Sequence, residues 1–241
     1  MEISRISKNQ EKYIQVKESI IHSTAFIATE DEKVIAVFEY RFNDFDKVEI
    51  TRFCTFNECD KNEILNSFID EIMYWNPFVK EIVCEKKKYI GIKEVFFNVG
   101  FKDGQMWTLK TQYKAEAFKI LIKDIVPEQL TVEEDKYNKA MEWIDKPEDV
   151  VVCCVKIDDK IVSIDGHSRL VAASEKGFEY VYGFLEPGDT DIEFFKECLS
   201  WCEEAGVKSI ADLSKRIVSV EEHKRLWVDR CQSYFSYKET E

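Results

Sequence analysis

The run Lys160-Ile161-Val162-Ser163-Ile164-Asp165-Gly166-His167-Ser168-Arg169-Leu170-Val171-Ala172-Ala173-Ser174-Glu175-Lys176-Gly177 decides how the second half of this chain is read. It begins strand-like, ends helix-like, and passes through Gly166 at the switch. A strand that turns through glycine into a helix leaves backbone N–H groups without partners at the helix start. Those donors and the positive end of the helix dipole favour an anion. His167 and Arg169 add side-chain donors at the same place, and arginine can grip a phosphate through two parallel hydrogen bonds. Asp165 is negative, so it suits a metal ion, or a hydroxyl losing its proton, better than the phosphate itself. A phosphate site with an acid beside it points to phosphoryl transfer. A plainer reading stays open, because Asp165 and Ser168 are both residue types that cap helices. A cap alone leaves His167 and Arg169 unexplained.

Outward from this turn the second half reads as a mixture of strands and helices. Residues 149–157 and 160–164 form a hairpin through Asp158-Asp159, and residues 180–184 form a further strand. Residues 133–144 and 191–204 have helical spacing, with Gly206 closing the latter, and a helical stretch covers 220–234. Upstream lie the apolar runs 118–122 and 126–130. The first half predicts a hairpin from 23–28 and 33–40, a third strand over 47–56 and a polar break at 57–60. A helix over 61–74 follows, with Ile64, Leu65, Phe68, Ile69 and Ile72 on one stripe. A strand over 81–85, a short helix over 93–101 ended by Gly100, and a strand over 105–110 complete it. The fold class is α/β (α+β) in two domains, 1–112 and 113–241.

The 241 residues are 45% hydrophobic and include 17 Phe and 10 Tyr, enough for real cores, while only 8 Gly and 4 Pro argue against low complexity. The net charge of −13 repels nucleic-acid backbone and anionic lipid, so neither is expected as a partner. The basic run Lys86-Lys87-Lys88 is read as a solvated loop. No apolar run is long enough to span a membrane, and the start of the chain lacks the apolar core of a signal peptide. The 8 Cys are therefore expected to be reduced, in the cytoplasm, as ordinary buried thiols. The oligomeric state stays open, a homodimer included.

Three further features invite a functional reading. Trp201, on the helix at 191–204, lines either the substrate side or the core. Cys198 and Cys202 share a face of that helix and, with His223 and Cys231, could make a zinc site. The spacing matches no common zinc module, and Phe194, Phe195 and Leu199 point instead to a buried apolar face. His22 has no partner motif and is given no role.

The first half resembles the GNAT acyltransferase fold. The resemblance rests on the hairpin, the central strand, the following helix and Phe96-Phe97-Asn98-Val99-Gly100-Phe101. Where that family uses glycines to bring backbone amides to the acyl-CoA pyrophosphate, this chain has Asn57-Glu58-Cys59-Asp60-Lys61-Asn62-Glu63. Side chains and acids there imply a GNAT-like half without acyl-CoA binding.

From about Ala117 onward the chain resembles the ParB/sulfiredoxin-like fold, and within it the free serine (amino-acid) kinases. The carriers are Ile122-Lys123-Asp124-Ile125-Val126-Pro127-Glu128, a spacer helix, the hairpin, and Asp165-Gly166-His167-Ser168-Arg169 followed by Ala172-Ala173. The turn lacks the cysteine that sulfiredoxins need, and Ser168 stands where the partition proteins carry an arginine. The resemblance implies nucleotide phosphates on Gly166, His167, Ser168 and Arg169, with ATP or ADP as donor. It implies Mg²⁺ or the substrate hydroxyl at Asp165, charge stabilisation by His167 and Arg169, and Glu128 as general base, with Glu134 as a substitute. The implied activity is a kinase of a small free amino acid such as serine. Two alternatives come from other classes: a nucleotide-binding regulatory module without turnover, and a GNAT-type N-acetyltransferase.

Overall fold

Alternating apolar residues build a six-stranded sheet in the first half and, in the second, a five-stranded sheet beside a separate two-stranded pair. The computed structural model describes residues 1–6, 24–56 and 58–238. The expectations placed on His22, Ser23 and Asn57 lie outside the described residues. The chain divides into two units, Met1–Lys114 and Ala115–Glu241, and no helix among the described residues is long and apolar enough to cross a membrane.

The first unit holds β1 (Glu2–Arg5), β2 (Ala25–Glu30), β3 (Lys33–Asp44), β4 (Lys47–Thr55), α1 (Lys61–Trp75), β5 (Glu81–Cys84), α2 (Lys86–Tyr89), α3 (Lys93–Asn98) and β6 (Trp107–Lys110). The strands lie in the order β1-β2-β3-β4-β5-β6. All pairs are antiparallel except β4 with β5. This is the hairpin, central strand, helix and strand order expected of a GNAT-like half. α1 buries Ile64, Leu65, Phe68, Ile69 and Ile72, the stripe its spacing predicts, and Phe68 stacks on Phe38 at 4.8 Å between ring centres. α3 ends where Gly100 takes φ 109°, which lets the Phe101 amide reach the Phe96 carbonyl at 3.0 Å. The Phe96 and Phe101 rings then meet at 5.2 Å in the core.

The reading of Lys86-Lys87-Lys88 as a loop is corrected. The three lysines open a helical turn, with Lys86 paired to Asp103 at 2.5 Å and the Lys88 ammonium donating to the Thr51 carbonyl. Two local partners outweigh the weak propensity of so short a run.

The second unit continues with β7 (Ala117–Leu121), β8 (Ile125–Pro127), β9 (Val132–Glu133), α4 (Glu134–Trp143), β10 (Val151–Ile157), β11 (Lys160–Asp165), α5 (His167–Glu175) and β12 (Tyr180–Leu185). It closes with α6 (Ile192–Glu204), α7 (Ile210–Leu213), β13 (Ile217–Val218), α8 (Val220–His223) and α9 (Asp229–Lys238). A π-helical stretch, Lys224–Val228, joins the last two helices. The sheet order is β7-β12-β10-β11-β8. β10 and β11 form the expected antiparallel hairpin, turning at Asp158 with φ 53°. β12 lies parallel to β10, and β8 parallel to β11 with Ser163 opposite Pro127. That register brings the residue after Pro127 and the turn after Asp165 to the same end of the sheet. α5 is locked there because Leu170, Val171, Ala172 and Ala173 are wholly buried, a contribution of about 1.5–3 kcal/mol for each of the larger side chains.

Candidate functional site

β11 ends at Asp165, and Gly166 turns the chain into α5 with φ 95° and ψ 16°. L-residues avoid this left-handed conformation. A methyl group at Gly166 would also lie 2.8 Å from Val152 Cγ1 and 3.1 Å from an Arg169 nitrogen, so backbone and packing both require glycine. Gly166 holds the N-cap position, and among the described residues no side chain caps α5. The capping alternative for Asp165 and Ser168 is therefore corrected. The first-turn N–H groups of His167, Ser168 and Arg169 have no side-chain acceptor, and the helix dipole adds positive potential at the same point.

The Arg169 guanidinium is oriented from two sides. It donates to the Val151 carbonyl at 2.8 Å and to the Asp165 carboxylate at 2.8 Å. The Asp165 side chain is 74% exposed, and such a pair is weak in water.

His167 does not carry the cationic role expected of it. Its side chain is buried, with Nε2 3.1 Å from the Ser163 hydroxyl. Burial pushes its pKa down to about 4, against an opposing pull from Asp165. The ring is neutral at pH 7 and ties α5 to β11 one turn below the bend. The sequence showed a histidine beside an arginine; only the packing shows that its ring points inward.

Glu128 follows β8 and is 4% exposed. Its Oε2 is fully buried and has no hydrogen-bond partner among the described residues. Burial raises its pKa to about 8, with further upward pushes from Cys231 and Asp165 and a downward one from the Cys198 thiol. A buried carboxyl with a free oxygen, titrating near neutrality and electrostatically in touch with the turn, has the properties of an acid–base group. Glu128 follows the last residue of β8 and is buried. Glu134, the substitute, opens α4 and is exposed.

Glu186 had no signal in the sequence. It accepts from the Cys153 thiol at 3.2 Å, and Cys153 stands opposite Asp165 in the β10–β11 register. The fold thus brings a second carboxylate to the patch around Asp165. Magnesium on a polyphosphate takes one or two protein carboxylates and fills the rest of its shell with water and phosphate oxygens. Asp165 and Glu186 supply carboxylates of the kind such a shell uses. Among the described residues no group of three or more His, Cys, Asp and Glu side chains is placed to hold a metal ion by itself.

Trp201 lies in the core rather than on a substrate surface. It is 7% exposed, gives its indole N–H to Glu197 at 2.7 Å and meets the Trp227 ring at 6.2 Å. The zinc alternative also dissolves, because His223 is buried and bonded through Nδ1 to the Thr131 hydroxyl at 2.9 Å.

In the first unit β4 and β5 pair only as far as Ile50 with Cys84. Beyond that point they bound an open cleft of about 580 Å³ lined by Thr51, Arg52, Cys54, Lys88 and Tyr89 among others. The Tyr89 hydroxyl is buried there without a partner. The helix that follows β4 is closed to anions, since the Asp60 carboxylate accepts from the amides of Asn62 at 2.9 Å and Glu63 at 3.2 Å.

Comparison with known proteins finds no matching family model and no matching curated protein. Among solved structures the chain is similar to protein Atu1540 from Agrobacterium tumefaciens, at 21% identity and a TM-score of 0.30 over 42% of this chain and 62% of that one. This chain thus spans less than two thirds of that protein's length. It is also similar to YhhK from E. coli, proposed to be an N-acetyltransferase and solved bound to coenzyme A. That match has 15% identity and a TM-score of 0.37 over 46% of this chain and 98% of that one. Overlaps this loose leave the architecture to rest on the strand pairings themselves.

Proposed function

We propose that the second unit is a nucleotide-dependent kinase that phosphorylates the hydroxyl of a small free amino acid such as serine, with ATP or ADP as donor. The observation that carries this reading is Glu128, a buried carboxyl with an unpartnered oxygen at the same sheet end as an uncapped helix start. In this reading the amides of Gly166 to Arg169 hold the phosphates, and Arg169 offsets charge on the transferring group. Asp165, with Glu186 nearby, holds the magnesium ion that neutralises the remaining phosphate charge. Glu128 takes the proton of the attacking hydroxyl. Catalysis of this kind is mainly positioning and electrostatics, which suits a site of fixed amides and one poised base. The ParB/sulfiredoxin-like resemblance of the Asp165-Gly166-His167-Ser168-Arg169 turn supports the nucleotide and the amino-acid substrate. His167 enters as a strut for the turn.

Calorimetric titration of the intact protein with ADP and ATP plus magnesium, followed by labelled-nucleotide assays on hydroxylated amino acids, tests the proposal. Asp165→Asn is expected to keep measurable nucleotide binding while transfer falls about a hundredfold or more. Flat titration traces, or unchanged turnover in that variant, would remove the mechanism.

A second reading is favoured by the cleft at Tyr89. In it the first unit senses a small ligand and the second binds nucleotide without turnover. Tight nucleotide binding with no consumption on any hydroxylated amino acid would select it. Acetyl transfer is the weakest reading, because Asp60 occupies the helix amides that a pyrophosphate would need.

A further inference from the structure

Among the described residues a cysteine thiol neighbours Glu128. The Cys198 thiol, at the centre of α6, is electrostatically coupled to both the Glu128 carboxyl and the Cys231 thiol of α9. Independent contacts fix the helix pair around them. On one side of the thiols the Phe194 ring meets Tyr234 at 5.2 Å and Phe235 at 4.6 Å. On the other, Trp201 meets Trp227 at 6.2 Å, and the Tyr234 ring spans the seam to reach Trp201 as well, at 6.3 Å. Cys198 lies between Phe194 and Trp201 on α6, and Cys231 lies between Trp227 and Tyr234, so helical spacing sets the two cysteines at the middle of one seam. Cys198 is wholly buried and Cys231 is partly exposed beside it.

The two thiols differ in exposure, and this assigns their roles: Cys231 can be reached from solvent and Cys198 cannot. The Cys198 thiol, and after it the Arg230 charge, holds Cys231 below the ordinary thiol pKa. The interaction with Cys231, then burial, pushes Cys198 far up. An accessible thiol with raised thiolate content, next to a second thiol, is the arrangement of a redox-responsive pair. A resolving thiol that holds its proton tightly needs a base, and Glu128 is in place.

We propose that Cys198 and Cys231 form a reversible disulfide when the protein meets a peroxide, with Glu128 receiving the Cys198 proton as the bond closes. The Cys231 thiolate attacks one peroxide oxygen. The O–O bond breaks, hydroxide leaves and is protonated to water, and Cys231 becomes a sulfenic acid. The Cys198 sulfur then attacks the Cys231 sulfur, its proton is relayed through the Glu128 carboxyl to the departing hydroxyl, and the S–O bond breaks with loss of a second water. Two thiols are oxidised by two electrons and one peroxide is reduced to two waters. Reduction by an added dithiol reverses the change. The pair stands independently of the nucleotide reading, since its chemistry needs only the thiols and the carboxyl.

The test is graded hydrogen peroxide on the intact protein, with thiol counting and non-reducing peptide mapping. Loss of two of the eight thiols, a mass decrease of about 2 Da and a peptide joining Cys198 to Cys231 are expected. The products should be reversed by dithiothreitol. In Glu128→Gln, ring closure should slow about tenfold or more, with the sulfenic acid at Cys231 accumulating and trappable by dimedone. Cys54→Ser, which removes an exposed thiol elsewhere, should change nothing. A cross-link through Cys202 or any other cysteine, or a Cys231 sulfenic acid that never closes in the wild type, would overturn the proposal. Unchanged closure in a folded Glu128→Gln protein would remove the role of Glu128.

Discussion

The two units each contain a strand that turns into a helix, and the turns are built in opposite ways. At the end of β4, Glu58-Cys59-Asp60 leads into α1, and the Asp60 carboxylate bonds the amides of Asn62 and Glu63. At the end of β11, Gly166 leads into α5 in a left-handed conformation and no side chain reaches the amides that follow. A carboxylate cap satisfies the orphan N–H groups and meets the helix dipole with its own negative charge. It stabilises the helix and shuts out a second anion. A glycine turn leaves those donors to a ligand. The difference explains how one chain can carry two similar junctions of which only the second suits a phosphate.

The largest effect is expected at the base that distinguishes the second junction. Glu128→Gln should lower transfer by about 10²–10⁴-fold with nucleotide binding retained, measured by steady-state turnover and calorimetry. In the wild type, turnover should rise with pH through about 8, the pKa of Glu128, and the variant should lose this rise. Stability gives an independent readout. The folded protein holds the Glu128 proton up to about 8, against an ordinary value of 4.5. Between those values the folded state binds the extra proton, so stability falls as pH rises. Thermal melts of the variant should show this decline reduced by on the order of a few kcal/mol at pH 9.

The next effect is on the turn itself. Gly166→Ala forces a methyl group against Val152 and strains a backbone at φ 95°. We expect a loss of about 2–4 kcal/mol of stability with weakened nucleotide binding, read from denaturant melts and titration. Full binding at unchanged stability would show that the left-handed turn is dispensable.

The smallest effect concerns the first unit. Asp60→Ala should cost about 1 kcal/mol through loss of the cap. It should not create coenzyme A binding, because Glu58 and Glu63 still flank the exposed amides. Coenzyme A binding in this variant, absent from the wild type, would mean that Asp60 alone closes the site.

Much of the molecule was legible in the residues. Helical spacing named the five side chains that α1 buries. The Asp158-Asp159 break gave the β10–β11 hairpin. Gly166 between a strand and a helix gave the turn. These are local signals, set by periods of 2 and 3.6 residues and by the backbone freedom of glycine. β1 was missed because Glu2-Ile3-Ser4-Arg5 is short and mixed, and its pairing with β2 supplies what its composition lacks.

What the sequence by itself determined is therefore the order of the elements, the two-part α/β organisation and the place of the turn. The tertiary structure decided which side chains at that turn face outward. His167 and Arg169 are two residues apart in one helix, yet the first is buried against Ser163 and neutral while the second holds Asp165 at the surface. Glu128 becomes a base candidate only because β8 pairs in parallel with β11 and buries the residue that follows it. Cys198 and Cys231 come to one seam only because α9 folds back along α6. Burial and long-range pairing set charge state and proximity, and neither is written in the spacing of neighbouring residues.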